Sequence, residues 1–160
     1  MYSTNPSRPL LSQLFTSLCI TLFILSICSL ASAQEAATEA VEGEWLKSDG
    51  DARIVLKVTD GVLNGHLSFV KDPSSPFDVN NPDEALRKRP LLGLPLVKDF
   101  NKDGKNWTGG TVYDPKKGKT YKGKIWMDGE EQLNMRGFIG VSLLGRSEEW
   151  TRWTEPAGGK

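Results

Sequence analysis

The amino-acid sequence predicts an all-β fold: a small antiparallel up-and-down β-barrel of about eight strands with one short helical insertion. Three observations predict it. Apolar residues recur with a period of two through most of the chain, where a helix would need 3.6. Turn signals such as Asp60-Gly61 and Asp128-Gly129 separate those runs, as in consecutive hairpins. Gly65, Gly123 and Gly137 each fall in mid-strand, in phase with the apolar residues. A mid-strand glycine weakens a flat sheet, so its repetition needs a cause. Coiling into a closed barrel is one cause; packing against a nearby aromatic ring is the other.

The chain opens on an export signal. Residues 10–30 are apolar and uncharged, follow Arg8 and end at Ala31-Ser32-Ala33, whose small first and third residues suit signal-peptidase cleavage. Residues 1–33 are therefore expected to be a signal peptide, with the protein periplasmic or secreted after cleavage behind Ala33. Retention as a membrane anchor is the alternative, since about 20 apolar residues span a bilayer. Lipid attachment at Cys19 or Cys28 fits less well, because Leu18 and Ile27 precede them and a small residue is wanted there. Cleavage would remove both cysteines, which excludes disulfides, thiol catalysis and cysteine-based metal sites from the exported part. Residues 34–41 read as a flexible leader, 42–154 as a single barrel domain and 155–160 as a disordered tail.

The charge balance is 20 basic against 20 acidic residues, so no global field favours nucleic acid, and membrane contact is expected only through the signal segment. A lone His66 excludes multi-histidine metal sites. No cofactor and no metal are expected.

The strands follow in order. Gly43-Glu44-Trp45 opens the first. Ile54, Leu56 and Val58 share one face of the second; Leu63, Gly65, Leu67 and Phe69 share one face of the third. Residues 72–89 then form a long polar insertion. Within it, Asn81-Pro82-Asp83-Glu84-Ala85-Leu86-Arg87 reads as a short helix capped by Asn81, with Pro82 first in the helix and Glu84 completing a capping box. Tyr121, Gly123, Ile125 and Met127 alternate in a later strand, as do Leu133, Met135 and Gly137 in the next. Trp150-Thr151-Arg152 lies in the last. Trp45, Trp107 and Trp150 are expected to fill the core, Trp126 and Trp153 less so.

A Gly-x-Trp start with an arginine on the final strand resembles the lipocalin and wider calycin pattern. There the guanidinium packs across the indole where first and last strands meet, so the resemblance implies contact between Trp45 and Arg152. A longer resemblance runs through Asp78-Val-Asn80-Asn81-Pro82-Asp83, Arg87-Lys-Arg89-Pro90-Leu91-Leu-Gly93, Trp107-x-Gly109-Gly110-x-x-Tyr113-Asp114-Pro115, Gly118-Lys119-x-Tyr121, Arg136-Gly137-Phe138, Leu144-Gly145-Arg146 and Trp150-x-Arg152. That succession resembles domain-of-unknown-function family 2147. It implies a small signal-bearing bacterial envelope protein with a compact β fold, and it implies no activity.

Several motifs bear on chemistry. Asp99-Phe-Asn101-Lys-Asp103-Gly104 matches the first half of a calcium loop, but Gly110 stands where a bidentate glutamate is needed, and a hairpin turn explains the Asp-Gly step as well. Asp78, Asn80, Asn81 and Asp83 form a polar cluster that helix capping largely explains. Ser142 misses a nucleophile elbow by one residue, and His66 points outward by phase, which argues against a Ser–His hydrolase. Tyr113-Asp114 offers acid–base groups, although Pro115 suggests a turn. Arg87, Lys88 and Arg89 make a basic patch, with Arg136 and Arg146 in comparable positions later. Arginine suits carboxylate or phosphate. The candidate ligand site is accordingly a barrel mouth formed by Asp83, Arg87, Arg89, Tyr113 and Arg136. The expected function is non-enzymatic binding of a small, anionic ligand or an envelope component. The alternatives are an interaction module without a cavity, which a packed interior would favour, and an enzyme of unknown reaction.

Overall fold

The computed structural model describes residues 40–156, so the expected signal peptide, most of the leader and the last four residues of the tail lie outside the described residues. The strands are β1 (Gly43–Lys47), β2 (Ala52–Thr59), β3 (Val62–Val70), β4 (Pro95–Asp103), β5 (Asn106–Thr108), β6 (Thr111–Asp114), β7 (Lys119–Met127), β8 (Gln132–Phe138) and β9 (Arg146–Arg152). β5 and β6 both pair with β4 on one side and β7 on the other, so they are two halves of one strand interrupted at Gly109-Gly110. Every neighbouring pair is antiparallel, β3 pairs with β4, and β1 pairs with β9. The result is a closed eight-strand up-and-down barrel, which leaves no strand edge unpaired.

Closure is made where the sequence places it. Trp45 and Arg152 are register partners, and the guanidinium carbon lies 4.3 Å from the indole centroid. That guanidinium also donates to the carbonyls of Ala40, Glu42 and Glu130. The Trp45 indole N–H donates to Val41 O, and Val41 is fully buried. Ala40–Glu42, of which Ala40 and Val41 fall in the stretch expected as leader, is thus tied to the last strand.

The mid-strand glycines have two physical uses. A Cβ on Gly123 would stand 2.2 Å from the Phe100 ring, and one on Gly110 would meet the same ring and the Lys98 carbonyl. These two glycines sheath a fully buried phenylalanine. A Cβ on Gly65 would strike Leu56 and the Val55 carbonyl, the close approach of tightly coiled strands. Curvature and aromatic packing therefore act together.

Two expectations are corrected. The ladder between β2 and β3 shifts at Arg53/Ile54, so Phe69 opposes Arg53 while Leu67 opposes Ile54, and Ser68 is the extra residue. One extra residue reverses the facing of everything beyond it. Phe69 therefore leaves the inward face assigned to it and stacks under the Arg53 guanidinium, which also covers Trp153. The insertion holds no α-helix; it makes one 3-10 turn, η1 (Glu84–Leu86). Its cap is Asp83, which accepts from Ala85 N, and not Asn81. Asn81 instead accepts from Asp83 N two residues on, an Asx turn that uses up the oxygen a helix would need. A second 3-10 turn, η2 (Ser142–Leu144), lies between β8 and β9.

Candidate functional site

The inward positions divide along the barrel axis. In the half nearest Trp45, the residues Leu56, Leu63, Phe100, Trp107, Ile125 and Leu133 are buried and fill the interior. In the other half the same strands face a cavity of about 810 Å3. Its buried lining is Ile54, Leu67, Leu96, Val97, Met135 and Trp150, with Ala52, Val70, Val112 and Tyr121 nearer the opening. Gly137 also lines it, where a side chain would take up space. Size, apolar walls and a few polar groups at one end are what small-molecule sites share.

The mouth is formed by the connections β1–β2, β3–β4, β6–β7 and β8–β9. Charged side chains ring it, most of them paired. Lys47 binds Asp49 and approaches Glu148 at 3.7 Å, Lys116 meets Asp51 at 3.3 Å, and Lys117 meets Asp114 at 2.8 Å. Asp114 also accepts from the backbone N–H of Lys116 and Lys117, which is the turn role that Pro115 suggested. Lys71 and Arg146 line the mouth without an ion pair among the described residues.

The long insertion is latched across this end by a buried carboxylate. The Asp78 side chain is fully buried. Its Oδ2 accepts from Arg89 Nε at 3.0 Å, Arg89 Nη2 at 2.8 Å and Asn81 Nδ2 at 2.8 Å, and its Oδ1 accepts from the Tyr113 hydroxyl at 2.8 Å. Asn81 Nδ2 also donates to Tyr113 Oη at 3.1 Å, and the Arg89 guanidinium lies over the Tyr113 ring at 5.5 Å. Asn80 Nδ2 reaches the carbonyls of Pro115 and Lys116. Gly118 must be glycine there: its φ is +63°, and a Cβ would strike the Asn80 carbonyl. The polar cluster of Asp78, Asn80 and Asn81 is thus a clasp between the insertion and the β6–β7 turn.

Of the five residues expected at the mouth, Tyr113 lines the cavity. Arg89 stands behind it, engaged with Asp78. Asp83 and Arg87 lie on the exposed η1 turn, where Arg87 binds Glu84 and the Asn81 carbonyl. Arg136 alternates with inward Met135 and Gly137, so it faces out; it donates to the carbonyls of Ser142 and Leu143 and to Ser147 Oγ. The structure joins Arg89 to Tyr113 and leaves Arg87 beside the η1 turn and Arg136 on the outer face of β8. Arg146 and Lys71 line the mouth, and Asp78 holds Arg89 and Tyr113 together. Arg146 had a readable signal, since it sits four residues before inward Trp150 and so shares its face.

The other motifs resolve into structure. Asp99, Asn101 and Asp103 lie in β4, with Asp99 at a φ of +62°, and Gly104 makes the turn into β5, the hairpin reading of that stretch. His66 is exposed on the outer face of β3. Trp45, Trp107 and Trp150 are all buried, as expected.

Burial, and then the hydrogen bond to the Asp78 carboxylate, raise the Tyr113 phenol above the ordinary tyrosine value. A raised value in the fold means that the protonated phenol stabilises it. That contribution is whole below the unfolded value of about 10 and is lost as pH climbs through the folded value. Phenolate absorbance should show one tyrosine ionising late, and Tyr113→Phe should delete that late component. A titration unchanged by Tyr113→Phe would contradict the clasp.

A closed eight-strand barrel with a packed end, an open end and a cavity between them is a lipocalin-like barrel. A solved structure shares the fold: a Helicobacter pylori protein, HP1028, described as belonging to the lipocalin family, superposes with a TM-score of 0.64 over 72% of this chain and 84% of that one, at 20% identity. No curated protein matches the sequence. Residues 43–152 match the family described as "Uncharacterized protein conserved in bacteria" (DUF2147), and the chain belongs to that family.

Proposed function

We propose that the protein is a non-enzymatic binder of a small amphipathic molecule, which keeps its apolar part in the cavity and its anionic end beside Arg146 and Lys71. One observation carries this reading: a cavity of about 810 Å3 that is apolar in its depth and opens through a charged rim. An interior that is open at one end supports a binder over a module that only packs against partners. Among the described residues, Arg146 and Lys71 are the rim cations without an ion pair, so they are the groups with charge to offer an incoming anion. Export to the periplasm or beyond, which the first 33 residues suggest, would put such a binder among the lipids and metabolites of the envelope.

Titration with a medium-chain fatty acid, followed by calorimetry and by Trp150 fluorescence, tests the proposal. Saturable one-to-one binding is expected. Ala52→Trp, which places an indole in the cavity, should weaken it about tenfold or more. Arg146→Glu should weaken the fatty acid about fivefold and leave the matching alcohol unchanged. Binding that ignores Ala52→Trp would place the ligand elsewhere. An absence of binding by fatty acids, alcohols and sulfonates alike would end the reading.

A further inference from the structure

We propose that the open end of the barrel docks on an anionic lipid bilayer through the β8–β9 connection. The sequence alone confines membrane contact to the signal segment; the structure adds a second surface. Ile139, Val141, Leu143 and Leu144 are 69, 61, 86 and 81% exposed, four large apolar side chains within six residues of one loop. Isolated exposed apolar residues need no explanation, but a cluster on one projection does.

This exposure is not fraying. Arg136 reaches up from β8 and fastens the loop at the Ser142 carbonyl (2.8 Å), the Leu143 carbonyl (3.0 Å) and Ser147 Oγ (2.9 Å). Gly145 is pressed against the Gly137 carbonyl and Phe138, where a Cβ would not fit. The η2 turn is held with none of its residues buried. An arginine spent on holding leucines in water implies that the leucines meet something else. Across the mouth, Phe77 and Val79 on the insertion are 45 and 48% exposed, so the apolar rim is present on both sides of the opening.

The charge of the neighbouring wall chooses the occupant. Along the β7–β8 hairpin the cations lie toward the mouth: Lys119 and Lys122 on β7, with Arg146 where β9 begins. None of these three makes an ion pair among the described residues. The carboxylates of the same hairpin, Asp128, Glu130 and Glu131, all sit at its far turn, while on β9 Glu148 faces Lys47 and Glu149 lies midway along the strand. Apolar residues flanked by unpaired cations match a bilayer with anionic headgroups, where each element adds to binding. The outer face of β7, with Lys122 and Lys124, lacks the apolar belt of a barrel that spans a membrane. Contact is therefore at the tip. It sets the cavity mouth against the lipid surface, although the docking stands without any ligand in the cavity.

The barrel closes wholly within residues 43–152, so protein beginning at Gln34 tests the surface without the upstream apolar run. That protein should co-sediment with vesicles containing phosphatidylglycerol about tenfold more strongly than with phosphatidylcholine alone, and high salt should weaken it. Leu143→Asp/Leu144→Asp should cut binding about tenfold with an unchanged circular dichroism spectrum. Lys119→Glu/Lys122→Glu should cut it several-fold, and Lys105→Glu, at the packed end, should not. No vesicle binding, binding indifferent to the leucine pair, or equal binding to both lipids would each overturn the proposal. So would light scattering that shows a dimer dispersed by Leu143→Asp/Leu144→Asp, because a second copy would then be what covers the loop.

Discussion

Asp78→Ala is expected to cost about 3–5 kcal/mol of folding stability, the range found when one partner of a buried ion pair is removed. The carboxylate is fully buried and accepts from three side chains at four donor atoms. Without it, Arg89 keeps a charge in a site only partly open to water, and the Tyr113 hydroxyl and Asn81 amide lose their shared acceptor. The loss is also local. Residues 71–94 carry no strand; the isolated bridge between Phe77 and Pro90 pins the insertion to itself, and this clasp and the backbone bonds at Leu67 and Asp51 hold it to the barrel. Hydrogen exchange should therefore accelerate first in the insertion and only later in β2, β7 and β8. Denaturant midpoints check the magnitude. A double variant, Asp78→Ala/Arg89→Met, should recover part of the loss, because it removes the orphaned charge. A cost below about 1 kcal/mol would mean that water replaces the carboxylate at no penalty, and that the cluster only decorates a loop fixed by its backbone.

That clasp marks where the sequence stops being readable. Alternation places Ile54, Leu67, Ile125 and Met135 indoors, because a period of two is a local property of each strand. The closing pair is legible too, since Gly43-x-Trp45 and Arg152 stand at the two ends of the barrel domain. Phe69 is misread because a single unpaired residue, Ser68, reverses the facing of all that follows, and nothing in the residues flags it. Asn81 is misread for another reason. Asn-Pro-Asp-Glu is a sound local capping sequence, but the Asn81 oxygen accepts from Asp83 N in an Asx turn, while its amide nitrogen is held by Asp78 and Tyr113, three and 32 residues away. Arg136 and Arg146 show the site problem in small. Both are basic residues near the mouth in sequence, yet the alternation that brings Met135 inward turns Arg136 outward, and the spacing to Trp150 brings Arg146 in. Phase, applied to the charged residues as strictly as to the apolar ones, would have chosen Arg146. The buried lock on the insertion and the exposed η2 leucines had no such route, for each depends on contacts between segments far apart in the chain.

At the other end of the barrel, Arg152→Ala is expected to cost about 3 kcal/mol, and Arg152→Lys most of that. The reason lies in how little else closes the ring. β1 and β9 share only three register pairs, Trp45 with Arg152, Leu46 with Thr151 and Lys47 with Trp150, whereas β8 and β9 share six. Two flanking backbone bonds, Ser48 N to Glu149 O and Trp153 N to Glu44 O, and one guanidinium make up the difference. Its Nη1 donates to Glu42 O at 2.9 Å, its Nη2 to Ala40 O at 2.6 Å and Glu130 O at 3.0 Å, and its Nε to Glu130 O at 3.1 Å, while its flat face covers the Trp45 ring. Three carbonyls from two chain segments are thus joined by a planar, five-donor group. A lysine keeps the charge but cannot span them or stack as well. Gly43 belongs to the same construction: its φ is +130°, and a Cβ there would stand 2.8 Å from Arg152 Nη1. Denaturant unfolding measures the loss. Below the transition, ligand affinity should stay unchanged in the same variants, because the cavity and its rim lie in the opposite half of the barrel. A loss of ligand affinity as large as that of Ala52→Trp would show that the two ends are coupled. The packed floor would then set the shape of the mouth as well as hold the ring shut.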